Sequence, residues 1–130
     1  MTADDHIVFI VDDDVRIREA LSELLASHGM RALAYGSAGE YVRADKPDLP
    51  ACLILDVELP DINGLELVQF IRKSDRHRST ALIIISTQSS EKDRARGLSL
   101  GADDYLAKPL DPEALLSTVQ RLLANRPAVG

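Results

Sequence analysis

The chain has 130 residues, of which 45% are hydrophobic and 28% charged, with a formal net charge of −6. That length suits one domain around one core, and the acidic balance argues against nucleic acid binding by this chain alone, since such binding rests on neutralising phosphate. The single cysteine, Cys52, excludes an intrachain disulfide and a cysteine-built zinc site, no apolar run is long enough to span a membrane, and the N-terminus lacks the pattern of a signal peptide, so a cytoplasmic protein is expected.

Short apolar runs alternate with segments of helical periodicity. Ile7-Val8-Phe9-Ile10-Val11 is rich in β-branched residues and stops at Asp12-Asp13-Asp14, which reads as a strand buried on both faces. The following helix carries Ile17, Leu21, Leu24 and Leu25 on one stripe and stops at Gly29. Arg31 to Tyr35 is a weaker second strand, and Ser37-Ala38-Gly39-Glu40 fits a capping box for a short second helix. After the breaker Lys46-Pro47-Asp48-Leu49-Pro50, Cys52-Leu53-Ile54-Leu55 forms a third strand ending in Asp56. The loop Pro60-Asp61-Ile62-Asn63-Gly64 is rich in turn residues and leads to a helix that turns Leu65, Val68 and Ile71 inward. Leu82-Ile83-Ile84-Ile85 is a fourth strand ending at Ser86, and a helix runs from near Ser90 to Gly101. Tyr105-Leu106-Ala107 is a short fifth strand before Lys108-Pro109. Asp111-Pro112 caps a last helix that buries Leu115, Leu116, Val119, Leu122 and Leu123. One domain is expected over residues 1–124, with 125–130 a frayed tail or the start of a linker.

Strands apolar throughout, alternating with helices, predict an α/β fold: a parallel sheet covered on both faces. Ligands of such sheets bind beyond the carboxyl ends of the strands, and there the polar residues gather: Asp12 and Asp13, Asp56, Ser86 and Lys108. Carboxylates brought that close repel one another, each pair by roughly 4 kcal/mol at about 4 Å and an effective dielectric near 20. A divalent cation and the Lys108 ammonium would offset this. Magnesium suits the site, because it takes oxygen ligands and commonly joins one or two carboxylates to a phosphate, with manganese as a substitute. An aspartate can itself be the nucleophile that accepts a phosphoryl group, and Ser86 and Lys108 would hold the added oxygens.

Four stretches resemble the receiver domains of bacterial two-component response regulators, of the chemotaxis-regulator type, in order and spacing over essentially the whole chain. They are Val11-Asp12-Asp13-Asp14, Leu55-Asp56-Val57-Glu58-Leu59-Pro60, Asn63-Gly64, and Gly101-Ala102-Asp103-Asp104-Tyr105-Leu106-Ala107-Lys108-Pro109. The resemblance implies a doubly wound five-stranded parallel sheet of order 2-1-3-4-5 flanked by five helices. It implies that Asp56 is the phosphoacceptor. Asp13 would bind magnesium directly and Asp12 partly through water, with the Glu58 backbone carbonyl completing the metal site. Lys108 would contact the phosphoryl group, ahead of a cis bond to Pro109. Ser86 fits the family's switch hydroxyl by its spacing from both Asp56 and Lys108, and Tyr105 matches the aromatic that turns inward on activation, although it fits a plain packing residue equally well. Two departures stand out: Thr87 replaces a smaller residue, and Glu58 adds a carboxylate beside an acidic site. Both are expected to tune the rates of phosphorylation and dephosphorylation.

The implied function is a regulatory module without a separate substrate, which catalyses only its own phosphotransfer and slow hydrolysis. A sensor histidine kinase or phosphotransfer protein would be the donor. The output would be a changed face of fourth helix, fifth strand and fifth helix, open to a partner or to a second copy. The last helix has Thr118 where the DNA-binding subfamily that dimerises this way has a basic residue. A scaffold that is never phosphorylated would usually lack an acidic residue or the lysine, and none is missing. A phosphatase of the haloacid dehalogenase type would need threonine or valine at position 16, where Arg16 stands. Asp14 reads as an N-cap, Asp103 and Asp104 as solvent-facing residues, and Arg72-Lys73 with Arg76-His77-Arg78 as a solvated loop. The sequence carries no output segment, which fits both a free-standing regulator and a receiver within a larger protein.

Overall fold

Where β-branched and aliphatic residues run without a break, the backbone extends, and where they recur every three or four residues it coils. The computed structural model describes residues 6–74 and 79–125. The sequence readings for the N-terminal residues 1–5, for Arg76, His77 and Arg78, and for the tail at 126–130 lie outside them. In chain order the elements are β1 (Ile7–Val11), α1 (Val15–Ser27), β2 (Arg31–Tyr35), α2 (Ala38–Arg43), β3 (Ala51–Asp56), α3 (Gly64–Lys73), β4 (Ala81–Ser86), α4 (Glu91–Ser99), β5 (Asp104–Ala107) and α5 (Pro112–Ala124). The strands form one parallel sheet of order β2-β1-β3-β4-β5, as expected. No helix among the described residues is long and apolar enough to cross a membrane.

Alternation along the strands divides the core in two. Phe9, Val11, Leu53, Leu55, Leu82 and Ile84 pack with Tyr41, Leu67, Val68 and Ile71 from α2 and α3 on one face. Val8, Ile10, Cys52, Ile54, Ile83 and Ile85 pack with Leu21 and Leu25 of α1 and Leu115, Val119, Leu122 and Leu123 of α5 on the other. Every residue of β1, β3 and β4 is buried, whereas the edge strand β2 is largely exposed, Leu33 included. Each fully buried Leu, Ile or Val contributes about 1.5–3 kcal/mol, so the three central strands carry the sheet and β2 follows them.

The helix ends follow local rules. Asp14, Asn63 and Asp111 cap α1, α3 and α5 by accepting from the second amide of each helix. Gly29 (φ 74°) and Gly101 (φ 124°) end α1 and α4 in the left-handed region that only glycine enters without strain. In both, two backbone N–H groups reach back to orphan carbonyls: Gly29 to Ala26 and Met30 to Leu25, Gly101 to Leu98 and Ala102 to Gly97. The box predicted at Ser37 is only half formed. Ser37 accepts from the Glu40 amide, but the Glu40 carboxylate accepts from Gly36 rather than from Ser37. A complete box sits instead on Ser90 and Asp93 at the start of α4.

One surface reading is extended and one is corrected. Asp103 is exposed, as expected, and is also bonded. Its Oδ2 accepts from the Leu82 amide at 2.8 Å and from Arg72 Nη2 at 3.0 Å. Arg72 belongs to α3 rather than to a solvated loop, and it also donates to the carbonyls of Gly101 (2.8 Å) and Thr80 (2.6 Å). The pair therefore clamps the end of α3 to the start of β4 and the α4–β5 turn. Asp103→Ala strips the acceptor from the Leu82 amide near the start of β4, and about 1–3 kcal/mol of stability should be lost, read as a lower urea midpoint. A midpoint within error of the parent would show that the clamp holds nothing.

Candidate functional site

Sheet register builds the site. Val11 pairs with Leu55, Asp56 with Ile85, and Ser86 with Ala107. The first polar residues after β1 and β5, and the last of β3 and β4, therefore arrive at one edge. Asp12 and Ser86 are fully buried and Asp56 nearly so, while Asp13 is exposed. Asp12, Asp13 and Asp56 each offer an oxygen, all within 4.8 Å of one another. Lys108 Nζ lies 2.9 Å from Asp12 Oδ2 and 3.2 Å from Asp56 Oδ2, bridging the two buried carboxylates. The Lys108–Pro109 peptide is cis.

The carboxylates are not equivalent. Both Asp12 oxygens are engaged, Oδ1 by the Asp14 amide at 2.9 Å and Oδ2 by Lys108. Asp56 Oδ1 accepts from the Glu58 amide at 2.9 Å. Burial pushes the Asp56 carboxyl above the usual carboxylate range; the Glu58 amide bond works against this, the Asp12 charge adds to it, and Lys108 opposes it. Burial also disfavours the Lys108 ammonium, but Asp12 and Asp56 outweigh it and hold the lysine above its ordinary value. Oxygen donors alone, one of them solvent-facing on Asp13, fit magnesium, which keeps several waters. Bound there, the ion would neutralise the cluster and polarise a phosphoryl oxygen.

Ser86 and Thr87 bond to a further carboxylate, that of Glu58. Ser86 Oγ donates to Glu58 Oε1 at 2.8 Å and accepts from the Gln88 amide at 2.9 Å. Thr87 donates to the same Glu58 oxygen from its amide (2.9 Å) and its hydroxyl (2.6 Å). The Thr87 hydroxyl foremost, with help from Ser86 and the Thr87 amide, holds the Glu58 carboxyl below its usual range despite opposing burial. Tyr105 is buried, and its hydroxyl donates to the Gln88 carbonyl. Sequence reasoning missed what makes room for that ring: a Cβ on Gly97 of α4 would lie 2.9 Å from Tyr105 Cδ2 and 2.9 Å from Ile84 Cδ1. It also missed Arg94, which donates to the Tyr105 carbonyl and stands 5.9 Å from the ring centroid. No spacing rule marks either residue; only the glycine inside a helical stretch was a visible signal. Thr118, which stands where that subfamily has a basic residue, is buried, and its hydroxyl donates to the Ala114 carbonyl. The exposed cation of that helix is Arg121, 3.3 Å from Asp104 Oδ2.

Comparison with known proteins identifies the family and the fold. The family model of the response regulator receiver domain matches residues 8–120. The transcriptional regulatory protein GltR of Pseudomonas aeruginosa is 37% identical over 95% of this chain and 51% of its own length. Protein PilH of the same organism is 32% identical over 91% of this chain and 98% of its own. The BeF3-activated receiver domain of DrrB, from Thermotoga maritima, superposes with a TM-score of 0.81 at 30% identity, covering 91% of this chain and 97% of that one. The chain thus spans about half the length of GltR and nearly all of PilH.

Proposed function

The chain belongs to the response regulator receiver family, and from that membership we propose that it is a switch operated by phosphorylation of Asp56. The observation that carries the reading is the convergence of Asp12, Asp13 and Asp56 oxygens within 4.8 Å, with Lys108 bridging two of them.

A phosphohistidine on a sensor histidine kinase or a phosphotransfer protein is the donor. An Asp56 carboxylate oxygen forms a bond to phosphorus as the phosphorus–nitrogen bond to the donor imidazole breaks, leaving an acyl phosphate. Asp12, Asp13, Asp56 and the Glu58 backbone carbonyl would hold magnesium, which would supply charge neutralisation at the phosphoryl oxygens. Lys108 stays protonated between Asp12 and Asp56 and meets the developing negative charge. Ser86 turns its hydroxyl to a phosphoryl oxygen, and Tyr105 and the loop from Thr87 to Ser90 readjust. The new dianion thereby reaches the surface of α4, β5 and α5, where a downstream partner or a second copy docks. The chain acts in the cytoplasm, without a separate substrate.

Intact mass after incubation with acetyl phosphate and magnesium tests this. The parent should gain one phosphoryl group only with the metal, and Asp56→Asn should gain none. A gain that persists in the variant overturns the acceptor assignment. No gain in the parent, with either acetyl phosphate or a phosphorylated kinase, overturns the phosphoacceptor reading.

A further inference from the structure

Glu58 has been placed in the metal site only through its backbone, yet its side chain collects three donors on one oxygen: the Ser86 hydroxyl, the Thr87 amide and the Thr87 hydroxyl, all at 2.6–2.9 Å. Three converging donors aimed at one negative oxygen are an oxyanion cradle. It is preorganised: the Gln88 amide occupies a Ser86 lone pair and leaves that hydroxyl proton aimed at Glu58. The backbone of Glu58 is fixed as well, by the hydrogen bond its N–H donates to Asp56 Oδ1 and by the bridge between Glu58 and Asn63. The carboxylate is thus tethered two residues from the acceptor, on the segment that follows β3.

We propose that the Glu58 carboxylate is a built-in competitor for the phosphoryl group: in the unphosphorylated chain it occupies the Ser86–Thr87 donor cradle, and phosphorylation proceeds by expelling it. The proposal rests on the phosphoacceptor reading and assigns its regulation. Thr87 then has a purpose beyond bulk, since its hydroxyl adds a third hydrogen bond that steadies the competitor. Charge-assisted hydrogen bonds are the stronger kind, so the resting state resists phosphorylation by small donors. A docked kinase, which brings its own binding energy, overcomes the competitor more readily.

Reach separates this from simple charge repulsion. Glu58→Asp keeps the negative charge but shortens the side chain by one methylene, so its oxygen falls short of the cradle. Glu58→Ala removes both. The competitor predicts that both variants are phosphorylated by acetyl phosphate about tenfold faster than the parent, about the weight of one charge-assisted hydrogen bond. Repulsion alone predicts that only Glu58→Ala accelerates. A second readout needs no phosphorylation: the Thr87 amide proton resonance of the resting protein should move upfield in both variants as its charged acceptor is lost. Parent rates in both variants, or acceleration in Glu58→Ala alone, overturn the proposal while leaving Asp56 as acceptor. A Thr87 resonance that stays in place overturns it directly, whatever the phosphorylation assay shows. Failure of every chain to take up phosphoryl groups overturns the underlying reading instead.

Discussion

Lys108→Ala should lose about 3–5 kcal/mol of stability at neutral pH in a chelator, and recover part of it in millimolar magnesium. The lysine is the counter-ion of two carboxylates whose side chains are 0% and 3% exposed. Removing one partner of a buried ionic cluster leaves charge uncompensated, which costs about that much. The pH dependence has a definite sign. Burial, and then the Asp12 charge, already raise the Asp56 carboxyl, and losing Lys108 raises it further. An acid whose pKa is higher folded than unfolded binds more protons in the folded state, so its penalty grows as pH rises through that window. The difference between variant and parent is therefore largest at neutral pH and shrinks on acidification through the carboxylate range. Magnesium among Asp12, Asp13 and Asp56 would replace the missing positive charge. Urea titrations of parent and variant, with and without magnesium, at neutral and mildly acidic pH, test all three parts. Equal midpoints at neutral pH in chelator would remove Lys108 from this role.

Gly64→Ala should cost about 3 kcal/mol or more, at the upper end of overpacking penalties. Alanine normally gains up to about 1 kcal/mol over glycine within a helix, so the sign alone is diagnostic. A Cβ at Gly64 would stand 2.4 Å from Val57 Cα and 2.9 Å from the Asp56 carbonyl oxygen. Carbon atoms want about 3.5–4.0 Å, and both neighbours are backbone, which has no rotamer to change. The Gly64 amide also donates to the Val57 carbonyl at 3.1 Å, which holds the start of α3 against the acceptor loop. The methyl would push Val57 and Glu58 out of line, so the fraction that folds should also be phosphorylated more slowly. Chemical denaturation with a parallel acetyl phosphate assay checks both effects; a stable, fully active variant would contradict the close approach.

The fold was legible because its signals are local. Each central strand is an unbroken apolar run ended by a polar residue, and each helix has a stripe, a cap or a terminal glycine. The carboxylates and Lys108 were legible for the same reason: they are the first polar residues where buried strands surface. Contacts between distant side chains were not. Nothing near Asp103 in the chain announces the Leu82 amide or Arg72. Nothing near Glu58 announces Ser86 and Thr87, whose contacts depend on β3 and β4 pairing in one register. Two features had signals that the reading passed over. Thr118 stands three after Leu115 and four before Leu122, on the buried stripe of α5. Ser90 and Asp93 have the spacing of the complete capping box that α4 displays.

The acidic residues at the strand ends also matter to the chain before it folds. β1, β3 and β4 are five or six residues long and consist of Ile, Val, Leu, Phe, Cys and Ala, apart from Asp56 at the end of β3 and Ser86 at the end of β4. Segments of that kind self-associate as cross-β when exposed. They are exposed for longest where pairing is remote and parallel, and Ile7 of β1 must find Ala51 of β3. Asp12, Asp13 and Asp14 close the first segment, and Asp56 with Glu58 closes the second, so the site doubles as a set of gatekeepers against aggregation. β4 has no such guard on its far side: Ser86-Thr87-Gln88-Ser89-Ser90 carries no charge before Glu91. An unfolded or nascent chain is thus protected at two of its three stickiest segments by the residues that make it a switch, and β4 is where intermolecular association would begin.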